Sequence, residues 1–132
     1  MKIIPLFEDS FYHDGRGPEL QKVIWLNEGK DLKGFEYFNP DDKYTDENLR
    51  HLILEKVEAF SMAGEEVHGD IVISGKSKAA IFKIEDSLWL KQFNPTHLAD
   101  CAHYQIVFYD EIYDVICRDI KLGKGKITND KS

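Results

Sequence analysis

The chain has 132 residues, of which 42% are hydrophobic and 31% charged, which is typical of one globular domain with its own core and unlike a disordered chain. No apolar run approaches the ~18 residues of a membrane span, and Pro5 interrupts the first apolar run, so we expect neither a span nor a secretory signal. The net charge is −7, with +3 on residues 121–132 and therefore −10 on residues 1–120, which argues against direct nucleic-acid binding because an acidic body repels phosphates.

The first part of the chain predicts a short β unit. Residues 2–7 favour an edge strand, because Pro5 cannot donate a ladder hydrogen bond. Residues 8–18 contain two glycines and a proline and predict a loop. Residues 20–26 predict a strand, with residues 35–38 returning antiparallel to it.

The next segment predicts an amphipathic helix. Thr45 or Asp46 can cap its start, and Gly64 is a natural stop. Apolar residues recur three and four positions apart between these limits, which gives one apolar stripe. They are Leu49, Leu52, Ile53, Val57 and Phe60.

Residues 69–74, 79–84 and 88–93 then predict three strands separated by short turns. Residues 104–120 predict a β-hairpin that turns at Asp110–Glu111, because this pair is flanked by residues that favour strands. Alternate positions share one side of a strand, so the pairing places an apolar set on one face of the hairpin. The pairs are Phe108 with Tyr113, Ile106 with Val115 and Tyr104 with Cys117.

These elements together predict an α+β fold, in which one amphipathic helix packs on a mainly antiparallel sheet. The sheet would contain a C-terminal meander of about five strands, preceded by the short N-terminal β unit. We expect a single globular domain over residues 1–132, with residues 121–132 as a frayed basic tail.

Catalytic and metal-binding patterns are weak in this sequence. His97, Asp100, Cys101 and His103 are capable of binding zinc, but they lie in one short stretch without a second ligand cluster. Cys101 or Cys117 with a histidine base is a conceivable nucleophile pair, yet Cys117 falls on the apolar face of the predicted hairpin. The segment GKGK at 123–126 lacks the Ser or Thr and the spacing of a phosphate-binding loop. We therefore predict no catalytic residue, no metal and no cofactor, and reduced cysteines in the cytoplasm, with a disulfide between them as the alternative.

Acidic and aromatic residues are instead grouped in three segments, at 8–14, 41–47 and 109–114. Aromatic side chains anchor protein interfaces, while carboxylates attract cationic partners. The sequence therefore predicts a contact surface for a basic protein. Its candidate residues are Tyr109, Asp110, Glu111, Tyr113, Asp114, Asp41, Asp42, Asp46 and Glu47.

In size, acidity and clusters such as YDEIYD at 109–114, the chain resembles the immunity proteins of bacterial polymorphic-toxin and contact-dependent growth-inhibition systems. The resemblance implies a non-catalytic cytoplasmic protein that covers a basic, nuclease-like toxin domain. Two alternatives remain open: a small-ligand-binding protein or enzyme with a pocket between helix and sheet, and a homo-oligomeric accessory protein that pairs through a strand edge.

Overall fold

The computed structural model describes residues 2–14, 16–26, 31–64 and 78–127. In these ranges the chain forms nine strands and one short 3₁₀ helix at Leu90–Gln92. The strands are β1 (Lys2–Leu6), β2 (Glu19–Leu26), β3 (Asp31–Phe38), β4 (Arg50–Glu55), β5 (Ala59–Gly64), β6 (Ile81–Glu85), β7 (Ala102–Val107), β8 (Glu111–Cys117) and β9 (Asp119–Lys124).

The strands form two antiparallel sheets that pack face to face. One sheet has the order β1-β6-β7-β8-β5, and the other has the order β2-β3-β4-β9. Aromatic rings fill the space between them: Phe35 of β3 lies 4.6 Å from Tyr113 and 5.1 Å from Phe108, measured between ring centroids. Phe11, which precedes β2, packs its ring edge-on against Phe108 at 5.3 Å. The protein is therefore nearly all β, and the α+β prediction is wrong.

The predicted helix is replaced by β4 and β5, which belong to different sheets. The apolar spacing also fits a strand, because Leu52 and Leu54 alternate into the core. Lys56 has a φ of 54°, which breaks any helix and turns the chain from one sheet to the other. Phe60, assigned to the buried stripe of the helix, is exposed on β5.

Glycine at position 34 makes this pairing of β4 possible. A Cβ on Gly34 would lie 2.0 Å from the carbonyl oxygen of Leu52, so only glycine allows β3 to approach β4 this closely. Backbone pairing with β3 on one side and β9 on the other therefore overrides the helical propensity of residues 50–55.

The hairpin prediction is confirmed in its faces but not in its register. β7 and β8 pair with Ile106 opposite Tyr113 and Tyr104 opposite Val115, two residues away from the predicted alignment. A shift of two residues keeps each side chain on its face, and the predicted apolar face is indeed buried. The opposite face is also largely buried, including Gln105.

Three further predictions have different outcomes. The edge strand containing Pro5 is confirmed, because β1 is the end strand of its sheet. The strand predicted at 88–93 is wrong, since a turn and the 3₁₀ helix occupy it. The strand predicted at 69–74 lies outside the described residues. At the C-terminal end, residues 121–124 belong to β9, and the buried Ile127 donates its backbone N–H to Glu36 Oε2 at 2.8 Å.

Candidate functional site

The three acidic and aromatic segments meet at one end of the sandwich. Tyr109, in the β7–β8 turn, donates its backbone N–H to the carbonyl oxygen of Pro18 at 2.7 Å. The Tyr12 hydroxyl donates to Asp41 Oδ2 at 3.2 Å, and Arg16 Nη2 donates to the Tyr44 hydroxyl at 3.0 Å. Loops that are far apart in sequence therefore form one surface, which we call the acidic end and define as residues 8–19 (apart from residue 15), 39–47 and 109–111.

The acidic end concentrates the negative charge of the chain. Its three segments contain ten carboxylates but only two cationic side chains, Arg16 and Lys43. Asp110, Asp41 and Asp46 are exposed there. Because neighbouring charges of one sign add their potentials, this end should attract cationic groups from a distance.

Burial and the nearby carboxylates raise the pKa of side chains at this end, among them Glu111 and Tyr12. The pKa of Glu111 is raised, chiefly because the carboxyl is partly desolvated and then because Asp110 and Glu19 carry the same charge. The pKa of Tyr12 is also raised, by partial burial first and then by its hydrogen bond to Asp41. Both shifts disfavour further negative charge at a surface that is already anionic.

Arg16 lies in a small cage formed by Glu19, Tyr44 and Tyr109. Its Nη2 donates to Glu19 Oε2 at 3.1 Å and to the Tyr44 hydroxyl, while its Cζ lies 5.0 Å from the centroid of the Tyr109 ring. The Tyr44 hydroxyl donates to the same Glu19 oxygen at 2.9 Å, and its ring stacks on Phe38 at 4.7 Å. The cage therefore offers a guanidinium a carboxylate, a hydroxyl and an aromatic face.

The predicted contact residues divide into two groups. Most lie on the acidic end, including Asp42, whose Oδ2 is 3.6 Å from Arg50 Nε, and the exposed Glu47. The other two do not: Tyr113 is buried between the sheets, and Asp114 accepts a hydrogen bond from His103 on the opposite face of β8. Arg16, Glu19 and Tyr44 were missed, although the spacing of Arg16 and Glu19 could have suggested an ion pair.

A second polar arrangement is buried against the outer face of the five-stranded sheet. His103 Nε2 lies 2.8 Å from Asp114 Oδ1, and His103 Nδ1 lies 2.7 Å from Ser87 Oγ. Since an ionised carboxylate only accepts hydrogen bonds, His103 Nε2 donates to Asp114, and its other ring nitrogen shares a hydrogen bond with the Ser87 hydroxyl. These residue types match a hydrolase triad, which the sequence did not predict because Ser87, His103 and Asp114 lie far apart along the chain.

The surroundings of this triad favour a structural role. Ser87 is only 3% exposed, and its Oγ also accepts the backbone N–H of Leu90 at 3.1 Å. The Trp89 ring lies edge-on to the His103 ring at 5.0 Å. A nucleophilic serine needs an open approach for its substrate, whereas Ser87 holds the turn before the 3₁₀ helix onto the sheet.

The cysteines and the proposed zinc ligands do not converge. Cys117 is fully buried, which raises the pKa of its thiol to about 12, and burial also raises the pKa of Cys101. His97 pairs with Glu58, whereas His103 bonds to Ser87 and Asp114. Across the described ranges, no group of three or more His, Cys, Asp or Glu side chains is placed to hold a metal ion.

A cavity of about 340 Å³ lies where β5 begins, beside the loop after the 3₁₀ helix. It is not the predicted pocket between helix and sheet, because that helix does not exist. Its walls are Glu58, Ala59, Phe93, Asn94, His97 and Leu98.

Helices of membrane-spanning length and apolarity do not occur in the part of the chain that the structure describes. Comparisons with protein-family models, curated proteins and solved structures find no match to this chain.

Proposed function

We propose that this protein is a non-catalytic module that binds a basic protein through its acidic end. The observation that carries the proposal is the convergence of three separate loops into one surface with ten carboxylates and two cationic side chains. A charge excess of this kind speeds the association of an oppositely charged partner and selects against anionic ones.

Aromatic residues give this surface groups that can contribute affinity as well as attraction. Tyr44 is 52% exposed and Tyr109 is 44% exposed, and each has a ring that a partner can cover. Tyrosines in such positions are frequent anchors of protein interfaces, because they bury a large area with little loss of side-chain freedom. Exposed carboxylates around them would pair with lysine or arginine residues of the partner.

The action that fits this surface is inhibition by occlusion, as in immunity proteins that cover a toxin domain. A basic nuclease holds its phosphate substrate with lysine and arginine side chains, and the acidic end would occupy the same cationic groups. Both cysteines are free thiols, which agrees with the reducing cytoplasm in which such a protein would act.

The binding probe is a basic nuclease domain, to be sought among the products of the genes adjacent to the one for this chain. Asp41, Asp46 and Asp110, all exposed, are replaced together by lysine. We expect the association rate at low salt to fall at least about tenfold, and the wild-type rate to fall with rising ionic strength.

The matched control places the same charge change at the other end of the sandwich. Glu85, Asp86 and Asp100 are exposed near the start of β1 and of β7, and are replaced together by lysine. This variant should associate within about threefold of the wild-type rate, since its charges lie more than a Debye length of about 8 Å from the acidic end. Equal losses in the two variants, or wild-type binding without salt dependence, would contradict the proposal.

A further inference from the structure

Arg16 supplies the side chain that fills the cage on the acidic end. The guanidinium reaches both polar walls through a single nitrogen, Nη2, and its side chain is still 46% exposed. Exposed ion pairs of this kind are weak, because water screens them and two side chains must be ordered. The chain's own guanidinium is therefore held loosely.

Tyr44 and the backbone of Tyr109 have contacts besides those with Arg16. Tyr44 is positioned by its stacking on Phe38, with an angle of 11° between the rings, and by its hydrogen bond to Glu19. The backbone of Tyr109 is fixed by the hydrogen bond from its N–H to Pro18. Removal of the Arg16 side chain would thus leave a carboxylate, a hydroxyl and an aromatic face around a space of guanidinium size.

We propose that this cage is a binding site for an arginine side chain of the partner protein, with Arg16 as its displaceable internal occupant. The inference rests on the proposed function and makes it more specific, since it names the side chain that the acidic end recognises. Arginine fits better than lysine because its planar group can stack on Tyr109 while donating to Glu19 and Tyr44.

The experiment empties the cage with Arg16→Ala and titrates the peptide acetyl-Gly-Arg-Gly-amide, followed by NMR at the ring signals of Tyr44 and Tyr109. In the wild type the peptide must displace the weak, exposed ion pair of Arg16, which lowers the affinity for the peptide by about fivefold. The peptide should therefore bind the Arg16→Ala variant about fivefold more tightly than it binds the wild type. The lysine peptide acetyl-Gly-Lys-Gly-amide should bind the variant several-fold more weakly. If the Arg16→Ala variant does not fold, the Arg16→Gln variant, which removes the same charge, is used in the titration instead.

The control adds Tyr44→Ala to Arg16→Ala, which removes one wall and should abolish saturable binding. Three outcomes would contradict the proposed arginine site. They are equal affinity of the wild type and Arg16→Ala for the arginine peptide, no saturation with either protein, and equal binding of the arginine and lysine peptides. This failure is distinguishable from failure of the proposed function. If the nuclease domain still binds with salt dependence, and binds the triple-lysine variant less rapidly, the proposed function stands. Only the proposal that the cage binds an arginine of the partner then fails.

Discussion

Replacing Ser87 by alanine tests whether the buried serine, histidine and aspartate act as a structural unit. The substitution removes one small hydroxyl group and leaves the backbone conformation open to either residue. Two hydrogen bonds disappear with it, one to His103 Nδ1 and one from the backbone N–H of Leu90. Because His103 is only 7% exposed, water cannot easily replace the lost partner of Nδ1.

The size of the effect follows from these two bonds. A buried polar atom left without a partner costs about 1–3 kcal/mol, and a partly exposed hydrogen bond contributes about 0.5–1.5 kcal/mol. We therefore expect Ser87→Ala to lower the free energy of unfolding by about 1.5–4.5 kcal/mol. Domains of ordinary size are stable by only about 5–15 kcal/mol, so this loss is large enough to measure clearly.

Urea unfolding followed by circular dichroism measures this loss. With a slope of about 1–3 kcal/mol per molar urea, the midpoint should fall by at least about 0.5 M. Thr96→Ala is the control, since Thr96 is exposed in the same connection and its loss should change stability by less than about 0.5 kcal/mol. If Ser87→Ala were as stable as Thr96→Ala, the structural reading would fail and the triad would have to be tested for catalysis.

Three further predictions concern the core and the acidic end. Gly34→Ala should lower the free energy of unfolding by about 3 kcal/mol or more in the same urea assay, because its Cβ would meet a backbone oxygen. The control Gly64→Ala, whose Cβ would have its nearest neighbour at 4.0 Å, should cost less than about 1 kcal/mol. Similar losses in the two variants would contradict the predicted clash at Gly34. The raised pKa of Glu111 means that the folded state binds its proton more tightly than the unfolded state, so ionisation of this carboxyl destabilises the fold as pH rises above about 4.3. Glu111→Gln should accordingly raise the urea midpoint at pH 7 but not at pH 3, and an equal gain at both would refute this cause. A thiol reagent at pH 8 should modify Cys101 well before Cys117, because the pKa of about 12 and the complete burial of Cys117 protect it until the protein unfolds. Equal modification rates would contradict this prediction and show that β8 opens readily.

Local patterns predicted the features that one strand or one hairpin contains. The alternation around Tyr104, Ile106 and Phe108 gave the correct faces of the hairpin, since a register error of two residues does not change a face. Pro5 likewise placed β1 at a sheet edge. These features depend on single strands or on neighbours joined by one turn.

The helix prediction failed because the evidence against it is distant in sequence. Residues 50–55 form a strand since β9, about 70 residues later, pairs with them, and since Gly34 allows β3 to approach. The acidic end was predicted only in part for the same reason. Its loops were recognised separately, but their meeting around Arg16 depends on strand order, which spacing along the chain does not reveal.

The pairing of β4 with β9 also determines when the fold can be completed. During synthesis, β4 at residues 50–55 must wait with one side unpaired until residues 119–124 have left the ribosome. Contacts between such distant segments form late, because a long loop must close before they contribute stability. A chain that stops at Arg118 would keep β3 against β4 but would expose the backbone edge of β4, and this edge could recruit a strand from another molecule. Once synthesised, β9 therefore covers a backbone edge that the nascent chain leaves exposed.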